Sequence, residues 1–264
     1  MGVVNVTPDS FSDGGAFLDP DAAVAHGLEL LGEGASILDV GGESTRPGAA
    51  AVSEEDELAR VLPVIEGLSG RAKLSIDTMK PGVARAAVQA GASLINDVAA
   101  FRKAPTEMSA LAAESGAEVC LVHMLGEPGT MQRDPHYEDV VSEVKAFLEE
   151  RLAFVVSEGV AEERVILDPG IGFGKTVAHN LELLARLDEL VAIGRPVLIG
   201  TSRKSFLGKL TGVSDPAARL GSTIATNVLA YTRGASIFRV HDVAAVRDAL
   251  TVTAAIPGGC RSGA

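Results

Sequence analysis

Asp77, Asn96 and Asp168 each stand directly after a short apolar run of the chain. Two carboxylates and an amide brought together there could accept and donate hydrogen bonds in one plane. That suits the amino-pyrimidinone edge of a guanine-like or pterin ring, which presents several N–H donors. A buried structural carboxylate network is the competing account. Arg46, Lys204 and Arg239, with His241 beside them, form a second set. Positive charge gathered in one cleft of an acidic protein points to a phosphorylated or pyrophosphorylated substrate, and a solvated basic rim is the alternative. Two loops add to this chemistry: TPDSFSDGG over 7–15 and GGESTRPG over 41–48. Their glycines let backbone approach a ligand, and Thr45 and Arg46 supply a hydroxyl and a fork-shaped cation suited to phosphate oxygens. Loops of this composition also serve as plain turns.

Something must hold these groups together. Eight apolar runs read as strands, over 2–6, 36–40, 73–76, 93–98, 119–124, 164–167, 196–199 and 237–240. Each ends in polar residues: Asn5, Asp39, Asp77, Asn96 with Asp97, His123, Asp168, Ser202 to Lys204, and Arg239 with His241. Helical stretches lie between the runs. The clearest covers 137–158, where Val140, Val144, Phe147, Leu148, Leu152 and Val155 recur three and four apart. Asp19-Pro20 and Asp215-Pro216 set a capping carboxylate before a Pro suited to the first helical position, and Ser53 with Asp56 forms a loose capping box. Eight units in 264 residues give 264/8 = 33 residues each, the size of a βα repeat in a closed parallel barrel. A doubly wound open sheet is the runner-up. In a barrel, the C-terminal strand ends form the catalytic face.

Composition narrows the partners. Net charge is 23 − 35 = −12, which argues against nucleic acid and anionic membranes as partners. Two cysteines, Cys120 and Cys260, form neither a disulfide framework nor a zinc pattern. No apolar run is long enough to span a bilayer and the first residues lack a basic stretch, so a cytoplasmic protein is expected. One domain over 1–256 is expected, with a small, disordered tail over 257–264. PGIGFGKT over 169–176 resembles a phosphate-binding loop, but Pro169 stands where that motif needs its first Gly.

Seven segments carry a resemblance: MGVVNVTPDSFSDGG, LDVGGESTRPGA, SIDT, INDV, LDPGIGFGKT, SRKSFLG and RVHDV. In this order, over almost the whole chain, they resemble the dihydropteroate synthase family. That resemblance implies a single (β/α)8 TIM barrel with two long mobile loops after its first two strands. It implies the joining of para-aminobenzoate to 6-hydroxymethyl-7,8-dihydropterin pyrophosphate with Mg²⁺, giving 7,8-dihydropteroate and pyrophosphate. On matching positions, Asp77, Asn96, Asp168 and Lys204 would hold the pterin, with Met124 and Arg239 packing on its ring. Asn5 would meet the metal and the pyrophosphate, supported by Asp13. Thr45, Arg46, Arg239 and His241 would also hold the diphosphate. Phe11, Pro47, Phe173 and Ser205 would line the aminobenzoate pocket, where sulfonamides compete. A homodimer is expected.

Two departures from the family stand out. The chain begins at the first motif, where relatives usually carry an N-terminal hairpin, and residues 101–104 replace a Gly-containing stretch. Two other functions compete: a pterin-dependent methyltransferase acting on methyltetrahydrofolate, and a non-catalytic pterin-binding paralogue. The first would leave Arg46, His241 and the 7–15 loop without purpose. The second is disfavoured by the full set of functional side chains in both loops.

Overall fold

The computed structural model describes residues 1–7, 19–45, 49 and 51–257. Every apolar run read from the sequence is a strand: β1 (Gly2–Asn5), β2 (Ile37–Gly41), β3 (Lys73–Asp77), β4 (Leu94–Asp97), β5 (Glu118–Val122), β6 (Val165–Asp168), β7 (Leu198–Ile199) and β8 (Ile237–Phe238). Between and after them lie α1 (Pro20–Gly32), α2 (Glu54–Leu68), α3 (Pro81–Ala90), α4 (Pro105–Ser115), α5 (Val140–Ser157), α6 (Val177–Ala185), α7 (Leu187–Val191), α8 (Ser205–Thr211), α9 (Leu220–Thr232) and α10 (Val243–Ala255). The first six strands pair in parallel in chain order, and β7 pairs in parallel with β8. Two isolated parallel bridges, Leu167 with Val197 and Gly2 with Val240, join the two sheets at both seams. The ring therefore closes as the TIM barrel that the 33-residue repeat predicts. β7 and β8 are shorter than their apolar runs because Val197 and Val240 turn to the neighbours across the seams.

Side-chain parity separates two cores. Leu38, Val40, Leu74, Ile76, Ile95, Val119, Leu121, Val165 and Leu167 face outward and pack under the helices. Ile37, Leu94, Cys120, Val122, Ile166, Leu198 and Ile237 fill the barrel. Successive strand residues point to opposite faces, so Asp39, Asp77, Asn96 and Asp168 share the inward parity. Asp97 has the outward one.

Local chemistry sets the helix starts. Asp19 caps α1 by accepting from Asp21 N, with Pro20 at the first position. Ser53 caps α2: its hydroxyl accepts from Asp56 N at 3.0 Å and donates to Asp56 Oδ2 at 2.7 Å. Asp139 caps α5, which explains why that helix starts after Tyr137. Asp215-Pro216 opens one 3₁₀ turn, Ala217–Arg219, rather than a helix, and α9 follows it. Arg219 holds that turn by donating to the carbonyls of Arg203, Val213 and Ser214. The Gly-poor stretch after β4 keeps a left-handed turn, with φ 51° at Ala100 and 63° at Phe101. The outward Asp97 carboxylate accepts from Ala99 N at 2.6 Å and Phe101 N at 2.8 Å, which stabilises the strained pair.

Candidate active site

The C-terminal mouth of the barrel gathers the inward carboxylates around one guanidinium. Arg239, just after β8, donates from Nε to Asp39 Oδ2 at 2.6 Å and from Nη2 to Asp77 Oδ2 at 2.9 Å. Asn96 Nδ2 lies 3.2 Å from Asp39 Oδ2 and 3.4 Å from Oδ1. The other end of this amide, Oδ1, is buried without a hydrogen-bond partner among the described residues. Buried acceptors are rarely left so, and this one is suited to an N–H donor from a ligand. Asp168 accepts from Gly170 N at 2.7 Å through Oδ1. Lys204 leads into α8, donates to Ile171 O and holds Nζ 4.2 Å from the centroid of the Phe173 ring.

Burial shapes the charges. It pushes Asp77 up to about 7, opposed by Arg239 and reinforced by Asp39. It raises Asp168 too, against the Gly170 amide and Lys204. It lowers Lys204 to about 8, against the pull of Asp168. For Arg239 burial works the other way, but Asp39 and Asp77 outweigh it and hold the guanidinium charged. The mouth thus sets acceptors whose ionisation burial disfavours beside two cations, a setting suited to a polar heterocycle.

Most of the residues read from the sequence meet here. Asp77, Asn96, Asp168, Lys204 and Arg239 surround one mouth, and Asn5 ends β1 beside them. His241 follows Val240, its Nδ1 2.9 Å from Ser202 Oγ. Phe173 lies under Lys204, Ser205 is exposed at the start of α8, and Met124 is buried just past β5. Thr45 is half-buried after β2. Phe11, Asp13, Arg46 and Pro47 lie outside the described residues.

Two expectations change. Arg239 enters the site anchored rather than free: Nε and Nη2 are engaged with Asp39 and Asp77, and the side chain is 23% exposed. His123 has outward parity and does not line the mouth; it packs edge-on against Phe147 and accepts from buried Lys175. Sequence alone gives Asp39 no role, although its spacing from Ile37 marks it as inward. Nothing in the sequence but the incomplete phosphate-loop motif marks Lys175.

Among the described residues, no three His, Cys, Asp or Glu side chains cluster as a metal-holding group. Mg²⁺, however, commonly keeps its waters and takes only one or two protein oxygens alongside substrate phosphates. The half-buried Asn5 carboxamide, with no hydrogen-bond partner among the described residues, fits that requirement.

A closed parallel barrel with an Asp–Asn–Asp set and a lysine at its mouth defines a class of enzyme that binds a pterin-like ring. The pterin-binding enzyme family model matches residues 1–241, and the chain belongs to that family. Dihydropteroate synthase of Escherichia coli is 48% identical over 257 residues, covering 97% of this chain and 90% of the relative. Dihydropteroate synthase of Xanthomonas albilineans with 4-aminobenzoic acid superposes with a TM-score of 0.90 at 52% identity, covering 97% and 93% of the two chains. The same organism's enzyme in complex with 7,8-dihydropteroate gives 0.86 at 49% identity, covering 97% and 94%.

Proposed function

We propose that the chain is a dihydropteroate synthase of folate biosynthesis, a transferase built as one catalytic unit over residues 1–256. It joins 6-hydroxymethyl-7,8-dihydropterin pyrophosphate to para-aminobenzoate. The observation that carries the reading is Asn96 Oδ1, buried and without a hydrogen-bond partner among the described residues, on the strand-end face that also bears Asp77 and Asp168. Asp77, Asn96 and Asp168 take the N–H donors of the pterin edge, Lys204 donates to its acceptors, and Met124 and Arg239 pack on the ring. Asn5, Thr45, Arg46, Arg239 and His241 hold the diphosphate. Phe11, Pro47, Phe173 and Ser205 line the aminobenzoate pocket.

The C–O bond to pyrophosphate breaks first, and cations at the strand ends stabilise the departing charge. The methylene left on the pterin is electron-poor and is captured by the neutral aniline nitrogen, which then loses its proton. An aniline needs no activating base, so no nucleophile–base pair is required. Mg²⁺, held through Asn5 with support from Asp13, would supply further charge neutralisation at the leaving group.

The enzyme works in the cytoplasm on small molecules, as a homodimer. Among the described residues, no helix is long and apolar enough to cross a membrane. The test is pyrophosphate release in the presence of Mg²⁺, the pterin pyrophosphate and para-aminobenzoate. Release that depends on aminobenzoate is expected, and its absence from well-folded protein defeats the reading. Asp168→Asn, which keeps an oxygen for the Gly170 amide, should lower pterin affinity at least tenfold with the fold intact.

A further inference from the structure

The loop between β6 and α6 has an unusual hydrogen-bond pattern. Five consecutive carbonyls each receive a side-chain donor. Gly170 O and Phe173 O both take Lys175 Nζ at 3.0 Å; Ile171 O takes Lys204; Gly172 O takes Gln132 at 2.6 Å; Gly174 O takes the Tyr137 hydroxyl at 2.9 Å. Every second residue of the run is left-handed backbone that glycine adopts without strain: Gly170, Gly172 and Gly174 have φ of 64°, 85° and 62°. At the centre stands Lys175, 3% exposed: burial pushes its pKa well down and Asp168 opposes that, while three acceptors around Nζ favour the charged form. Its three protons are matched by Gly170 O, Phe173 O and His123 Nδ1, the last at 2.8 Å. Among the described residues, no carboxylate bonds to it. His123 can accept because burial, with Lys175 beside it, holds its pKa at about 2 and leaves the ring neutral.

The outer side of the same loop carries the site. Gly170 N caps Asp168, Ile171 O holds Lys204, and Phe173 lies beneath the Lys204 ammonium. We propose that Lys175 is a positioning residue for the reaction: its buried ammonium gathers Gly170 and Phe173 about His123, and so sets where Asp168, Lys204 and Phe173 meet the substrates. This rests on the dihydropteroate synthase reading. The loop resembles a phosphate-binding loop in sequence, but its lysine points into the protein and the cation it binds is its own.

Lys175→Met keeps the length and removes the charge. Binding of 6-hydroxymethylpterin to the folded fraction should weaken about tenfold, KM for aminobenzoate should rise, and thermal unfolding should report how much protein is folded. A structural role alone would lower the melting temperature and leave the affinity of folded protein unchanged. The acid limb of pterin binding gives a second readout. Asp168 faces Lys175 on its own loop, Lys204, Arg239 and the Cys120 thiol. Losing one cation from that set should move the limb to higher pH. His123→Leu removes one of the three acceptors and keeps the charge, so it serves if Lys175→Met does not fold. It should weaken pterin binding, and His123→Asn, which restores an acceptor oxygen, should recover it. Wild-type affinity with an unmoved acid limb in folded Lys175→Met protein, or wild-type affinity in folded His123→Leu protein, overturns the proposal. Failure of the wild-type protein itself to bind the pterin overturns the functional reading beneath it.

Discussion

Arg239 Nε lies 2.6 Å from Oδ2 of Asp39, a carboxylate with no exposure to solvent. The pair joins β8 to β2 across the seam of the barrel and leaves the second arm of Arg239 to reach Asp77. Asp39→Asn removes the charge and keeps the shape. Losing one partner of a buried pair costs about 3 kcal/mol. Urea unfolding should show that loss. Arg239, released from Asp39, should also hold Asp77 less well and weaken pterin binding. Unchanged stability would mean that the pair is not the tie between these strands.

Lys204 has opposite effects on stability and on binding as pH rises. Its pKa is lowered from 10.5 to about 8 in the folded protein, chiefly by burial. Between those values the unfolded chain binds more protons, so this residue's contribution to stability grows with pH. Pterin affinity should fall over the same range as the ammonium loses its charge. Titrating kcat/KM should place an alkaline limb near 8, whereas a flat profile to pH 9.5 would remove Lys204 from the binding set.

Gly170 and Gly212 are both left-handed, but only one is enclosed. A Cβ on Gly170 would fall 1.8 Å from His123 O, while one on Gly212 meets nothing within 4 Å. Gly212→Ala should cost about 1 kcal/mol from backbone strain alone. Gly170→Ala adds a backbone clash and should cost at least about 3 kcal/mol while disturbing Asp168. Comparing the two melting curves separates backbone strain from packing.

Lys80 bridges two carboxylates, Glu43 Oε2 at 2.6 Å and Glu57 Oε2 at 2.5 Å. Glu57 is fully buried and, among the described residues, its Oε1 has no hydrogen-bond partner, so Lys80 is the cation that faces it. Glu43 also accepts from Val52 N at 3.0 Å, tying together both ends of the second loop. Lys80→Met should therefore destabilise by about 3 kcal/mol, as expected when a buried charge loses its partner. Lys80→Met combined with Glu57→Gln should recover part of that loss.

The barrel was legible because β-branched runs ending in polar residues recur at a nearly constant interval. Asp77, Asn96, Asp168, Lys204 and Arg239 were legible for the same reason, since strand ends define one surface. Parity within a strand was the finer signal. Counting by twos from Ile37 and Leu94 would have placed Asp39 inward and Asp97 outward. The pairing of Arg239 with Asp39 was not legible, because the two lie 200 residues apart and meet only when the ring closes. The role of Lys175 was hidden by a motif that normally presents its lysine to a phosphate.

The seam has a consequence for how the protein is made. Asp39, Asp77, Asn96 and Asp168 all lie in the first two-thirds of the chain, whereas Arg239 leaves the ribosome only after β8. Until then the growing sheet carries unmatched carboxylates at its edge and an open strand on either side. Their burial without a counter-cation would be unfavourable. The substrate mouth is therefore completed last, when the final strand docks onto the first, and a chain stalled before residue 239 has strands and helices but no pterin site.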